Sequence, residues 1–382
     1  MKIGLNGQKL LVANPAGVEK YMYSIFSGLA KVDKENEYTV YVDSIPPVGF
    51  FEKLTHKNPN FSHKTVGSKK GRSWTQTLLR RELQKNPVDV VFYPFDTITG
   101  LLPLLKPKKF KAVCMMHDLG YVKAKEYKNP LRRILHFYTL WYVLLFAKKI
   151  IVPSEGAKKE ILRRRWFGFK KNKIIVIPEG LNENFKKKSL RDVNVIREKY
   201  NLKARPYLYF VSTIQPRKNI PRIVEAFSSA IKEKPDLSET LLLISGKRGW
   251  SFEESLEAPK KFGIEKNVRF LGRTSDEDIP VLMSGSEGLV NVSLEEGFGL
   301  PILEAMSCET PVLASKIPAL KEIGKDLILY ANPEDANDIK NKIIDLLTKR
   351  VEKPKLKKAW ERSQEFTWEK AAKRTLEVLK TA

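Results

Sequence analysis

The chain has 382 residues, 42% of them hydrophobic, and a formal net charge of +25. That length exceeds one ordinary core and predicts two domains of roughly 190 residues each. No apolar run reaches the ~18 residues of a membrane-spanning helix, and Met1-Lys2-Ile3-Gly4-Leu5 reads as a strand rather than a leader, so a cytoplasmic globular protein is expected.

Cys114 and Cys308 sit far apart in apolar surroundings and read as small buried hydrophobes. His56, His63, His117 and His136 lack zinc-type partners, so no metal centre is expected. The charge is uneven: residues 1–200 carry 39 Lys and Arg against 17 Asp and Glu, whereas residues 201–382 carry 30 against 27. Such an imbalance fits an anionic partner for the first half, whether nucleic acid, acidic membrane or phosphorylated substrate; a merely soluble basic surface is the plain alternative.

Residues 2–6 read as a buried strand. A loop through Pro15, Ala16 and Gly17 leads to an amphipathic helix from Val18 to Lys31, with Tyr21, Met22, Ile25, Phe26 and Leu29 on one face. Tyr38–Val42 is the next strand, and strand, helix, strand opens a parallel sheet. Gly17 ahead of that helix could set a backbone N–H against phosphate or acceptor, or be an ordinary loop glycine.

Residues 64–85 are basic (Lys69, Lys70, Arg72, Arg80 and Arg81 among them), with Trp74, Leu78, Leu79 and Leu83 beside them, the composition of a membrane-surface helix. Val88–Tyr93 and Ala112–Met116 are strands. His117 and Asp118 follow the second, at the end where open α/β sheets bind ligands. Residues 129–150 form an apolar helix that is expected to be buried between strands. Ile150–Pro153 is a strand, Ser154 caps a helix, and Arg163–Lys171 interleaves basic residues with Trp166, Phe167 and Phe169. No RNA- or DNA-binding pattern accompanies them, so no nucleic acid is expected and an anionic membrane interface is preferred.

Ile174–Ile177 closes the first half. Residues 182–204 read as a polar linker, giving domains at 1–181 and 205–365 and a C-terminal helix over 366–382. Tyr207–Ser212 is a strand, after which Pro216-Arg217-Lys218-Asn219 opens a helix. Its two cations are placed to neutralise a diphosphate. Strands follow at Leu241–Ser245 and Val268–Gly272, then a capped helix at Ser275–Ser284, and helices at Pro333–Leu347 and Thr367–Leu379.

The densest stretch is Val290–Ser315, read as strand, glycine loop, helix, strand. Gly297 and Gly299 permit a sharp turn, Pro301 suits a first helical position, and a helix start exposes unpaired N–H groups to phosphate. Glu296 and Glu304 frame it. Two acceptor-only carboxylates around a phosphate seat suit a sugar nucleotide; the plain alternative is a common Gly-Phe-Gly turn with solvated glutamates.

The order of these residues resembles the Glu-x7-Glu donor signature of the GT-B glycosyltransferases of family 4, retaining enzymes. Further segments are similar to family motifs: Gly17-Val18-Glu19-Lys20-Tyr21, His117-Asp118-Leu119, Pro178-Glu179-Gly180, Pro216-Arg217-Lys218-Asn219, Gly246-Lys247-Arg248-Gly249-Trp250, and Phe366-Thr367-Trp368-Glu369-Lys370. The resemblance implies two Rossmann-like domains with parallel sheets facing across a cleft, acceptor in the first and nucleotide sugar in the second, and a C-terminal helix packing back at their junction.

It further implies His117 and Glu296 at the donor sugar, Glu304 at the ribose, and Arg217, Lys218, Gly17, Gly297, Phe298, Gly299 and Leu300 around the rest of the donor, without a cofactor or metal. Three departures stand out. Glu309 replaces a usual glycine, Lys20 replaces an arginine, and no arginine lies near Thr213. The expected activity is transfer of a hexose, GDP-mannose favoured and UDP-hexose possible, to a membrane-associated or lipid-linked glycan by a peripheral enzyme at the inner face of the cell membrane. A sugar-nucleotide epimerase or phosphorylase and a non-catalytic polyanion-binding protein are the alternatives, although no pyridoxal lysine motif supports a phosphorylase.

Overall fold

A computed structural model describes residues 1–67, 73–99, 110–118, 130–163 and 170–382. The chain divides into two compact units, Met1–Gly180 with Thr367–Ala382, and Leu181–Phe366.

The first unit is built on seven strands: β1 (Lys2–Asn6), β2 (Glu37–Val42), β3 (Phe61–Thr65), β4 (Val90–Tyr93), β5 (Lys111–Met115), β6 (Lys149–Val152) and β7 (Ile174–Val176). They pair in parallel in the order β3-β2-β1-β4-β5-β6-β7. All four residues of β4 are buried, as a parallel strand requires when helices cover both sheet faces. One cover is the helix Gly17–Val32, whose Tyr21, Met22, Ile25, Phe26 and Leu29 are buried. The helix Trp368–Lys380 packs on it closely because Gly28 has no side chain; a Cβ there would lie 2.9 Å from that of Ala372. β3 is the exception, a largely exposed edge strand. Its Phe-Ser-His-Lys-Thr sequence has no apolar alternation, and the sequence reading contains no strand there.

The second unit has six parallel strands: β8 (Tyr207–Val211), β9 (Leu241–Ser245), β10 (Val268–Gly272), β11 (Gly288–Asn291), β12 (Val312–Ser315) and β13 (Leu329–Ala331), in the order β10-β9-β8-β11-β12-β13. Each sheet therefore starts in its middle and grows first one way, then the other. The reversals fall between β1 and β4 and between β8 and β11, the positions where such sheets open a ligand crevice beyond their strand ends.

Three stretches differ from their sequence reading. Residues 182–204 contain the helix Leu190–Lys199, capped by Ser189, with Val193 and Ile196 buried; they fold with the second unit. In the basic stretch, Trp74, Leu79 and Leu83 are core residues, and the Trp74 indole donates to the Val66 carbonyl at 2.7 Å, so those apolar groups face inward and not toward a membrane. Among the described side chains of the helix Pro130–Phe146, Leu140, Tyr142, Val143 and Leu144 are buried, and Ile134, Leu135, Phe137 and Phe146 are exposed. Lys69, Lys70, Arg72, Leu119, residues 164–169 and the side chains of residues 130–133 lie outside the described residues.

Candidate active site

In the second unit, β8 and β11 are neighbours, so the segments leaving their C-terminal ends must meet. The segment after β8 tightens into a turn at Pro216–Lys218 and becomes the helix Ile220–Glu233. The segment after β11 runs through Glu296 to the helix Leu300–Ser307. Lys218 and Glu296, 78 residues apart, form an ion pair with Nζ 2.6 Å from Oε1. Arg217 lies 3.5 Å from the other carboxylate oxygen through Nη1, and also donates to the Glu295 carbonyl at 3.2 Å. The Leu294 N–H returns a bond to the Arg217 carbonyl at 2.8 Å.

The Lys218 and Glu296 side chains are 7% and 8% exposed. Burial favours the neutral acid, but the charges of Lys218 and then Arg217 outweigh it, and the Glu296 pKa is held below its ordinary 4.5. The result is a fixed carboxylate with two cations already in contact.

Asn219, to which the sequence reading gave no role, organises this corner. Its φ of 61° is left-handed, a conformation asparagine tolerates better than most residues. Its side chain donates to the carbonyls of Val292 at 3.0 Å and Pro333 at 2.8 Å, tying the β11 exit to the β13 exit. An asparagine directly before a helix was the visible clue. The Gly246–Trp250 segment braces the β8 exit from the other side: Ile214 donates to the Lys247 carbonyl and Gly249 to that of Ile214, both at 2.9 Å.

The glycine loop divides by function of position. Gly299 has φ of 112°, and a Cβ there would fall 2.4 Å from Leu320 Cδ2, so the residue is dictated by backbone and packing together. Pro301 stands in the first turn of the following helix. Phe298 is buried, its ring 5.8 Å from that of Phe366. Its side chain belongs to the core, which leaves only its backbone to face a ligand. Leu300 packs on the same core, and Gly297 lies between Glu296 and Phe298. Glu304 is partly buried on the helix Leu300–Ser307. Burial foremost, with the Glu304 charge adding, pushes the nearby Cys308 thiol up to about 12 and leaves it inert.

The remaining two residues lie in the first unit. Gly17 begins the helix Gly17–Val32; a Cβ there would meet nothing within 4 Å, so the chain's own packing does not require glycine. One turn on, the Tyr21 ring stands edge-on to His117, centroids 4.7 Å apart. His117 follows β5, with Nδ1 3.1 Å from Glu179 Oε1 and Nε2 3.1 Å from the Pro94 carbonyl oxygen.

Two family models match the chain: Glycosyltransferase Family 4 over residues 15–185 and Glycosyl transferases group 1 over residues 192–365. Together they leave only the ends and six residues between them. The chain belongs to the group 1 glycosyltransferases. Its parallel sheets of seven and six strands are those of the GT-B fold. An O-antigen chain mannosyltransferase B of Escherichia coli is 29% identical over 71% of this glycosyltransferase and 70% of its own length. The O-antigen chain mannosyltransferase RfbU of Salmonella typhimurium is 28% identical over 64% of this chain and 67% of its own. The chain spans only a third of the longer serotype-specific mannosyltransferase WbdA of Escherichia coli. Among solved structures, Anabaena HepE, crystallised with UDP and glucose, superposes with a TM-score of 0.73 at 17% identity, with both chains covered completely. WaaG, a glycosyltransferase involved in lipopolysaccharide biosynthesis, gives 0.72 at 16% identity, again over both whole chains.

Proposed function

We propose that this glycosyltransferase moves a hexose, mannose favoured, from a nucleotide sugar to a membrane-associated or lipid-linked glycan, with retention of configuration and without a metal ion. The observation that carries the reading is the buried Glu296–Lys218–Arg217 cluster at the sheet reversal. Departure of a nucleoside diphosphate develops negative charge, and Lys218 and Arg217 supply fixed positive charge for it, beside the N–H groups of the Gly297–Leu300 loop. Glu296 then exchanges its cation contacts for sugar hydroxyls, and Glu304 takes the ribose. By the family resemblance His117 serves at the donor sugar, and Gly17 sets a backbone N–H against phosphate or acceptor. With no side chain assigned as nucleophile, the leaving phosphate assists deprotonation of the acceptor on the same face.

The mannose preference draws on the mannosyltransferases among the relatives, and a nucleotide-sugar donor on the UDP complex of HepE. The membrane part draws on the helix Pro130–Phe146. Its exposed Ile134, Leu135, Phe137 and Phe146 run toward exposed Lys148, Lys170 and Lys171, and Lys173 anchors there on the Leu145 carbonyl at 2.7 Å. Exposed apolar groups on a helix with lysines beside its C-terminal end suit an anionic bilayer surface. Among the described residues no helix is long and apolar enough to cross a membrane.

A donor screen with GDP-mannose and UDP-hexoses, with chelator present and a lipid-linked glycan as acceptor, tests the reading. Glycan product with the donor's anomeric configuration is expected. Sugar interconversion without acceptor would indicate an epimerase, and binding of polyanions without donor turnover would leave only a binding protein. Flotation with vesicles at low salt tests the membrane arm: recovery with anionic but not neutral lipid, reduced by Phe137→Glu, is expected, and equal recovery with both would remove it.

A further inference from the structure

Glu179 has no part in the reaction as described above, yet it is the charged neighbour of His117. The carboxylate reaches Nδ1 at 3.1 Å and the Pro94 carbonyl reaches Nε2 at 3.1 Å. An ionised carboxylate accepts only, and so does a backbone carbonyl. A neutral imidazole has one N–H and one lone pair, so either tautomer sets a lone pair against an oxygen; the imidazolium alone donates to both.

The surroundings fix that choice in place. Glu179 is buried, and a buried carboxylate needs a cation or a set of donors. Its turn cannot slide away, because a Cβ on Gly180 would lie 2.3 Å from the Trp368 backbone nitrogen; the chain is pressed against that residue. Tyr21 wedges edge-on between the His117 ring, at 4.7 Å, and the Trp368 ring, at 5.7 Å. The titratable groups about His117 are Tyr21 from the helix Gly17–Val32, Glu179 from the segment after β7, and Asp118 next to it in sequence. Burial pulls the imidazole pKa down, but the hydrogen bond and charge of Glu179, with the Pro94 carbonyl and Asp118, more than reverse this and leave it raised above 6.5. Burial and then Glu179 also keep the Tyr21 hydroxyl protonated.

We propose that Glu179 is a positioning residue for glycosyl transfer, holding His117 as an imidazolium with both ring N–H groups engaged, so that His117 contributes fixed positive charge and not a general base. The proposal rests on the transferase reading for its catalytic half only. A neutral amide would accept the same N–H without the charge.

The test is a proton NMR titration of the intact protein, tractable because the chain has four histidines, with the His117 resonance assigned by its loss in His117→Gln. It is expected to titrate above 6.5 in the wild type, and at least one pH unit lower, a tenfold loss of proton affinity, in Glu179→Gln. In parallel, the alkaline limb of the kcat/KM profile should move to lower pH by the same amount in Glu179→Gln, with activity recovering toward wild type as pH falls and with Glu179→Asp keeping the wild-type limb. A wild-type His117 that titrates at or below 6.5 overturns the proposal without any variant. A shifted titration with an unmoved pH profile reduces the pair to a structural contact and overturns the catalytic half. Absence of turnover with every donor would sink the transferase reading, and the titration would still decide whether Glu179 holds the imidazolium.

Discussion

Each unit holds a buried glutamate in contact with a nitrogen base just past its strand ends, but the bases differ. Glu296 in the second unit faces a lysine and an arginine, Lys218 and Arg217. Glu179 in the first unit faces His117, whose charge depends on the carboxylate that holds it. The glycines differ in a parallel way. Gly299 is demanded by its own backbone and by Leu320, whereas Gly17 has open space above it. The second unit thus builds an electrostatic seat on a buried ion-pair cluster and a glycine that the fold demands, and the first carries a titratable pair and a glycine that the fold leaves optional.

The contrast is broken most directly at Lys218. Lys218→Met keeps the volume but leaves the buried carboxylate with only the longer Arg217 ion pair, and urea unfolding of the intact protein should show a loss of about 3 kcal/mol, with donor turnover down at least about tenfold. Because the Glu296 pKa is depressed, this contribution is complete above its ordinary 4.5 and disappears as pH falls through the folded value. A deficit that persisted unchanged in acid would contradict the pairing. Gly299→Ala should cost about 2 kcal/mol through strain and overlap with Leu320, and a neutral result would mean that the loop rearranges freely.

In the first unit the sign of the pH effect is opposite. The His117 pKa is raised, so its stabilisation is fully present below 6.5 and fades as pH rises through the folded value. His117→Gln should therefore be less stable than wild type by about 1.5 kcal/mol at pH 6, with the gap closing in alkali; a gap that widens with pH would reverse the assignment. A smaller effect is expected at Glu309, which ends the helix Leu300–Ser307 with φ of 53°. Glu309→Gly should raise stability by about 0.5–1 kcal/mol, seen as a Tm increase of a few degrees. Smallest of all, Gly17→Ala should leave Tm within about 1 °C, and a fall in acceptor affinity without a change in stability would mark the space above it as a binding surface.

The Glu309 case shows how far the sequence could be read. The departure from glycine was visible and pointed to the helix-to-strand turn. The structure has the turn intact: Glu309 donates to the Met306 carbonyl and Thr310 to that of Ala305, so a glutamate bears the left-handed conformation. Phe298 shows the opposite limit. Its place in the loop marked it as a ligand neighbour, but whether a ring points outward or into a core depends on what lies beneath, and beneath it lies Phe366, 68 positions away in the chain. The helix Pro130–Phe146 failed to read as half-exposed for the same reason: it is apolar on nearly every side, so periodicity carries no record of which side is covered.

By itself the sequence determined the alternation of strands and helices, the glycine loop and the residue types of the donor seat, because these depend on local spacing and on the chemistry of single side chains. It also fixed the excess of positive charge in the first half. Only the tertiary structure decided that Lys218 and Arg217 meet Glu296 and that Glu179 meets His117. Parallel strands place distant segments side by side by sheet order, and sheet order is set by which faces bury together, not by any residue alone.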